Sequence, residues 1–365
     1  MTVEQLTKAT AALKIQPLKR NFSLDALYPS FKVQPHIGTE FKRGIQIRDL
    51  LKAPNADELF LDLAVLIAER NVVFFRDQDL NFEEQKEFVD RLGKISGKPA
   101  TSGLHSHPIS EESDEFGEKN YEVSSVKNKT LEQGRRDRSE FHSRGFHSDV
   151  TFEVVPPDYT ALRLRELPPE GGDTLWASSY EAYDRLSPAF AKFVEGLTAF
   201  HSGDGFIALE KAGLVKINAG PRGSPEDVGT HLSTSHPVVR TNPITGWKGL
   251  YVSSGFTKRI NELSKDESDV VLQHLFNLYF QNHDLQVRFK WGKHDVAVWD
   301  NRSALHAATA DFDADAFIRV GERAASLGEK PYLDPNSTSR RVALGLAPPT
   351  ARRAHLASLA AEGKK

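Results

Sequence analysis

His147 and Asp149 stand two residues apart in the apolar run Phe146-His147-Ser148-Asp149-Val150-Thr151-Phe152. On a strand, side chains alternate with period two, so the imidazole and the carboxylate share one face while Phe146, Ser148 and Val150 take the other. Two polar groups that are costly to bury need a shared partner, and a divalent cation satisfies both. Far downstream, Trp299-Asp300-Asn301-Arg302-Ser303-Ala304-Leu305-His306 offers a second histidine. Two imidazoles and one carboxylate make the facial triad of non-haem iron(II) oxygenases, which leaves coordination positions open for a co-substrate and O2. Chance produces His-x-Asp often, and a hydrogen-bonded pair at a strand end is the other reading of the motif alone.

Bulk properties narrow the field. With 39% apolar and 27% charged residues the chain reads as an ordinary globular protein. No apolar run approaches the roughly 18 residues of a spanning helix, and Met1 to Arg20 lacks the apolar stretch of a secretory signal, so a cytoplasmic protein without a membrane segment is expected. Cysteine is absent, which excludes disulfides, thiolate ligands and iron–sulfur clusters and leaves any metal to nitrogen and oxygen donors. A formal net charge of −3 argues against a nucleic-acid partner.

The elements that would position these residues are many short strands with helices before and between them. Residues 1–39 read as an arm, with a short helix near Val3 to Leu13. Gly44 to Leu51 reads as a strand and turn, Asn55 to Arg70 as a helix, and Val72-Val73-Phe74-Phe75 as a buried strand. Asn81 with Glu84 forms a capping box for a helix that Gly93 ends. Residues 98–145 are polar and carry His105, His107 and His142, which suggests a lid over the site or a loop with surface histidines. Strands are expected over Tyr159 to Leu164, at Thr174-Leu175-Trp176, His236 to Arg240, Leu250 to Val252, Gln286 to Trp291, Asp295 to Trp299 and Ala316 to Ala324. Helices are expected over Tyr180 to Leu197, capped at Ser187-Pro188, and Val270 to Phe280; residues 200–235 read as irregular. The last 30 residues, 336–365, form a basic tail with Arg340, Arg341, Arg352, Arg353, Lys364 and Lys365. This pattern suggests a mainly β fold with helical cover, a jelly roll.

Several stretches together resemble one family, the taurine dioxygenase family of iron(II)- and 2-oxoglutarate-dependent dioxygenases, and especially its fungal sulfonate dioxygenase branch. They are Val72 to Gln78, Phe146 to Phe152, Gly171-Gly172-Asp173-Thr174-Leu175-Trp176, His236 to Thr241, Gly255-Phe256-Thr257, Trp299 to Arg302 with His306, and Arg319 with Arg323. The resemblance implies a double-stranded β-helix over residues 40–335. It implies that His147, Asp149 and His306 ligate Fe(II), and that Thr174 and Arg319 meet the far carboxylate of 2-oxoglutarate. Arginine suits that role because its planar fork pairs a carboxylate bidentately. The resemblance also implies that Arg323, His107, the Val150 N–H and Phe256 receive the substrate.

Arg319, Gly321 and Arg323 share a face if extended, and two buried cations repel unless each meets its own anion. The implied reaction is hydroxylation of a small anionic substrate with O2 and 2-oxoglutarate, giving succinate and CO2. On a sulfonate it would release sulfite and an aldehyde. Ser110 and Ser143 stand where the family has a tyrosine and an asparagine facing the amine of taurine, so taurine itself is not implied. Alternatives are the same chemistry on a carboxylate, such as an aryloxyalkanoate or amino acid, and a metal-binding jelly roll without turnover. A homo-oligomer is expected, with no nucleic-acid or membrane partner.

Overall fold

A computed structural model describes residues 17–109, 122–124, 142–313 and 315–346. Its strands in chain order are β1 (Ser30–Lys32), β2 (Thr39–Phe41), β3 (Val72–Phe75), β4 (Glu122–Ser124), β5 (Pro157–Glu166), β6 (Thr174–Ser178), β7 (Thr198–Ser202) and β8 (Ser233–Pro237). They continue with β9 (Val239–Thr241), β10 (Trp247–Leu250), β11 (Thr257–Ile260), β12 (Gln286–Phe289), β13 (Val296–Asp300), β14 (Ala304–Ala308), β15 (Val320–Leu327) and β16 (Thr338–Ser339). A seven-stranded sheet runs β1-β2-β3-β13-β5-β15-β4, and a three-stranded sheet runs β12-β6-β14. Between them lies an apolar layer including Val72, Phe74, Leu162, Trp176, Val287, Phe289 and Trp299.

Both outer faces are covered. Helices Ala56–Arg70 and Phe82–Ile95 lay Leu59, Leu63, Phe88 and Leu92 against Val73, Phe75, Ala161, Val296 and Val298 of the large sheet. Each such side chain contributes about 1.5–3 kcal/mol on full burial. This two-sided cover is why β3 and β13 are buried at every position and read as continuous apolar runs rather than alternating ones. Across the molecule, β7, β9, β10, β11 and helix Lys265–Phe280 pack on Ala177, Leu305 and Ala307 of the small sheet. No helix among the described residues is long and apolar enough to cross a membrane.

Local chemistry explains where the elements begin. Asn81 accepts from the Glu84 N–H at 2.9 Å and Glu84 Oε2 returns to the Asn81 N–H at 3.0 Å, the expected capping box. Ser187 caps helix Pro188–Glu195 with proline at its first turn.

Other expectations fail for identifiable reasons. Gly44 to Leu51 is not a strand: Ile47–Lys52 is a helix whose first N–H is taken by Gln78 Oε1 and whose Ile47 and Leu50 are buried. Gly93 does not end its helix; a Cβ there would meet Ser326 Oγ at 2.4 Å, so the glycine serves close packing on β15. Tyr180 to Leu197 is broken into helices Ser179–Asp184 and Pro188–Glu195. The region read as irregular contains β7 and helix Asp204–Lys211. In the segment read as an arm, Leu24 and Ile37 are buried in the core, so the described part from residue 17 packs as part of the domain. The tail, for which docked and mobile readings are both open from sequence, docks in its described part, because β16 pairs with β10 and the Arg341 N–H meets Asp184. The helix near Val3 to Leu13 and most of residues 98–145 lie outside the described residues, as does the tail beyond 346.

Candidate active site

The motif Phe146 to Phe152 is not a strand. Only His147 makes a β-bridge, to His306, after which the chain turns at Val150 with φ +40°. A β-branched residue at positive φ is strained by roughly 1–3 kcal/mol and persists only where its surroundings hold it. Here they do. Ser148 Oγ donates to Asn301 O at 2.7 Å, the Asp149 N–H donates to Asn301 Oδ1 at 3.2 Å, and Thr151 Oγ1 lies 2.9 Å from His201 Nδ1. Next to the turn, buried Glu153 and Arg222 form a bidentate pair at 2.6 and 2.7 Å.

His147, Asp149 and His306 converge, with one donor atom from each within 4.8 Å of the others. The bridge is a reciprocal pair of backbone hydrogen bonds, His147 N–H to His306 O at 3.0 Å and His306 N–H to His147 O at 2.7 Å. His147 Nδ1 donates to Gly145 O at 2.8 Å, which turns the Nε2 lone pair toward the cluster. Asp149 Oδ2 accepts from Thr160 Oγ1 at 2.9 Å, and Asp149 Oδ1 accepts from Arg323 at 2.6 Å. Burial alone would push the Asp149 carboxyl up. Arg323, His306 and His147 outweigh it, and the group is held below the usual carboxylate range.

On the ladder between β6 and β14, His306 faces Trp176 and Ala308 faces Thr174. Thr174 therefore lies on the same sheet face, two residues or about 7 Å along from His306. Arg319 meets it there, donating to Thr174 Oγ1 at 3.2 Å and to Gly172 O at 2.8 Å, and Trp291 Nε1 donates to the same hydroxyl at 3.0 Å. Arg319 precedes β15 rather than lying in it, and the register shifts between Val320 and Gly321. The two arginines thus part company: Arg319 turns to β6 while Arg323 turns to Asp149.

The remaining candidates surround Arg323 and His147. Phe256 stands edge-on to His147 at 5.5 Å. Burial, with Arg323 nearby, drives His105 down to about 3 and His107 well below its ordinary value, so both rings are neutral. His107 Nδ1 accepts from the Ile109 N–H at 3.3 Å, leaving the ring proton on Nε2 as a donor. The side chain of His142, and Ser110, lie outside the described residues.

Residue spacing gave no sign of the supports. Asn301 ties both candidate ligand segments together, accepting from Trp299 Nε1 at 3.0 Å and donating to Thr160 Oγ1 at 2.8 Å. Its place inside the Trp299 to His306 stretch was the available signal. Phe206, from the unforeseen helix, stands 5.3 Å from His107 and 5.6 Å from Phe152.

The chain is similar to known proteins over most of its length. The family described as taurine catabolism dioxygenase TauD, TfdA matches residues 29–324. An alpha-ketoglutarate-dependent dioxygenase of Aspergillus oryzae, oryG, is 45% identical over 348 residues, covering 91% of this chain and 97% of its own. An alpha-ketoglutarate-dependent sulfonate dioxygenase of Saccharomyces cerevisiae is 36% identical over 304 residues, covering 83% and 68%. The crystal structure of a taurine dioxygenase from Burkholderia xenovorans superposes with a TM-score of 0.61 at 29% identity, over 85% of this chain and 94% of that one.

Proposed function

The chain belongs to the taurine catabolism dioxygenase TauD, TfdA family, and from that premise we propose the roles of its residues and the class of its substrate. It is an alpha-ketoglutarate-dependent dioxygenase, using Fe(II), 2-oxoglutarate and O2. We assign His147, Asp149 and His306 to the metal. The donor set fits: two imidazoles and one carboxylate, no thiolate, and a His147 ring fixed from behind by Gly145 O. When bound, iron supplies the oxidation that couples 2-oxoglutarate decarboxylation to hydroxylation of a substrate C–H.

Thr174 and Arg319 take the far carboxylate of 2-oxoglutarate. Their distance of about 7 Å along the sheet from His306 suits a five-carbon diacid chelating at one end and ion-paired at the other. The fold is read as a double-stranded β-helix, or jelly roll, supported by the facing seven- and three-stranded sheets with the ligands between them. Residues 98–145 are assigned as a lid, supported by His105 and His107, which its described part carries into the site.

The observation that carries the substrate class is Arg323, 2.6 Å from Asp149. Asp149 cannot neutralise both Arg323 and a divalent ion. With a dianionic co-substrate answered by Arg319, one positive charge remains unbalanced, and a monoanionic substrate cancels it. We therefore assign Arg323, the His107 Nε2–H, the Val150 N–H and Phe256 to a small organic anion. A sulfonate is the first choice, in line with the yeast relative's name, and the products would be sulfite and an aldehyde.

The test is a panel of alkyl and aryl sulfonates and carboxylates with Fe(II) and 2-oxoglutarate, reading succinate and sulfite in parallel. Succinate without sulfite on carboxylates alone would replace the sulfonate. In Arg323→Ala, substrate-stimulated turnover should fall on the order of a hundredfold, as for an unpaired buried charge, while anaerobic 2-oxoglutarate binding persists. An unchanged KM with lowered thermal stability would make Arg323 a brace for Asp149 and withdraw the anion.

A further inference from the structure

Ser148 stands between two of the candidate ligands, and Asn301 to Leu305 lead directly to the third, His306. With Thr151, these residues line an interior cavity whose other walls include Ser179, His201 of β7, and Ser253 in the loop after β10. No lining residue is more than 4% exposed, so the cavity lies within the core. It belongs neither to the proposed metal position nor to the Thr174–Arg319 pocket, since none of those side chains lines it.

Size and chemistry select what it holds. A volume of about 10 Å³ is room for one ordered water and for no organic group. Three polar atoms of the lining, Ser179 Oγ, His201 Nε2 and Ser253 Oγ, are buried without a hydrogen-bond partner among the described residues. Buried groups of this kind normally have one, and leaving them unanswered costs stability. A dry void is the other reading, but dry voids are lined by apolar side chains. The lining also carries no net charge. Burial first, with His236 and Lys258 adding, holds the His201 ring neutral, and Arg302 is matched by Asp300 at 2.7 and 3.1 Å. An ion would lie there without a countercharge, whereas water both donates and accepts, and so answers Nε2 whichever ring nitrogen carries the proton.

We propose that this cavity is a binding site for one ordered water, held by His201 Nε2 and Ser253 Oγ, that props the candidate ligand segments from behind. The protein supplies the rest of a closed circuit. His201 Nδ1 lies 2.9 Å from Thr151 Oγ1, one residue past the strained turn at Val150, and 3.4 Å from Thr257 Oγ1. That second hydroxyl accepts from the Ser253 N–H at 2.9 Å. A water joining Ser253 Oγ to His201 Nε2 closes the loop from Ser253 through Thr257 and His201 and back. The ring is then fixed at both nitrogens, and Thr151 with it. The water site stands on the cavity alone; its effect on a metal rests on His147, Asp149 and His306 holding iron.

The site is tested first in the metal-free protein. Crystals are read at high resolution with and without xenon under pressure, which enters dry cavities. Water density within hydrogen-bond distance of His201 Nε2 and Ser253 Oγ, with xenon excluded, is the expected result. Xenon in the cavity, or no water there, would overturn the site. In solution, oxygen-17 relaxation dispersion should count one long-lived water fewer in Ser253→Val, whose methyl groups fill the space, and an equal count would also overturn it. Should Ser253→Val fail to fold, Ser253→Ala takes its place, with the water's residence time shortened severalfold; an unchanged residence time would have the same force.

A second arm titrates Fe(II) without O2 and records the absorption of its complex with 2-oxoglutarate. Ser253→Val should bind Fe(II) severalfold more weakly and shift that absorption, whereas Ser253→Thr, of the same size but with a hydroxyl for His201, should keep both. Unchanged affinity and absorption in Ser253→Val would overturn the prop. A wild type that takes up no iron would count against the triad, and the xenon and relaxation results would still decide the water site.

Discussion

Asp149 is the most heavily engaged of the proposed ligands, because its two oxygens are divided among the proposed metal position, Thr160 and Arg323. Thr160 fixes the carboxylate plane from behind, and supports of that kind typically contribute 10- to 100-fold in metal affinity. Thr160→Val should accordingly lose iron(II) affinity by about one to two decades in an anaerobic titration. An unchanged affinity would leave the orientation to Arg323 alone. Arg319 sits in a different environment, donating to Gly172 O and Thr174 Oγ1. Arg319→Leu should weaken 2-oxoglutarate by about 2–5 kcal/mol, the cost of leaving a buried carboxylate unpaired, or roughly one and a half to three and a half decades. Titrating the metal complex without O2 measures it directly, and an undisturbed dissociation constant would exclude Arg319 from the co-substrate pocket.

At the scale of elements, the strained turn at Val150 and the Glu153–Arg222 pair form one mechanical unit, since the pair anchors the chain three residues past the turn. Glu153→Gln leaves Arg222 buried without its charge partner, and breaking such a pair costs about 3–5 kcal/mol. The expected result is a drop of that size in chemical denaturation together with a raised substrate KM, because the Val150 N–H is no longer held. Asn81→Ala provides the contrast. It removes a cap far from the site, should cost about 1 kcal/mol, and should leave kcat and KM as they were. A change in KM there would mean that helix Phe82–Ile95 moves with the site.

Across the whole molecule, two sets of buried groups give opposite pH trends. His105, His107, His201 and His236 are held neutral, burial being the first cause. Their lowered pKa values mean that the unfolded chain binds more protons, so stability is lost as pH falls below about 6.5. Asp227 behaves the other way. Burial first, with Glu153 adding, pushes its carboxyl up to about 7 against the Val155 N–H that it accepts. It is protonated in the fold and ionised in the unfolded chain, so its contribution is full below about 4 and is lost as pH rises through about 7. Urea midpoints of Asp227→Asn against wild type should therefore converge in acid and favour the variant at pH 7. Parallel profiles would show Asp227 to be ionised throughout.

What the sequence makes legible follows from range. Caps such as Asn81 and Ser187 are local and were readable, and so was the convergence of His147, Asp149 and His306, which the pattern of family-like stretches around them picked out where His-x-Asp alone is common. The turn at Val150 was not readable, because period-two alternation cannot reveal one positive φ. Nor was the Arg323–Asp149 contact, which joins residues far apart through the register of β15 on β5. Leu24 and Ile37 looked like arm residues because their burial depends on a core assembled elsewhere.

The reciprocal main-chain bond between His147 and His306 has a consequence for engineering. The two proposed ligand positions are joined by peptide groups, which every residue except proline supplies, so their spacing does not depend on the imidazoles they carry. They act as sockets. Other donors placed at 147 or 306 should inherit the same alignment, and the centre could be recoded for a different metal without rebuilding the scaffold around it.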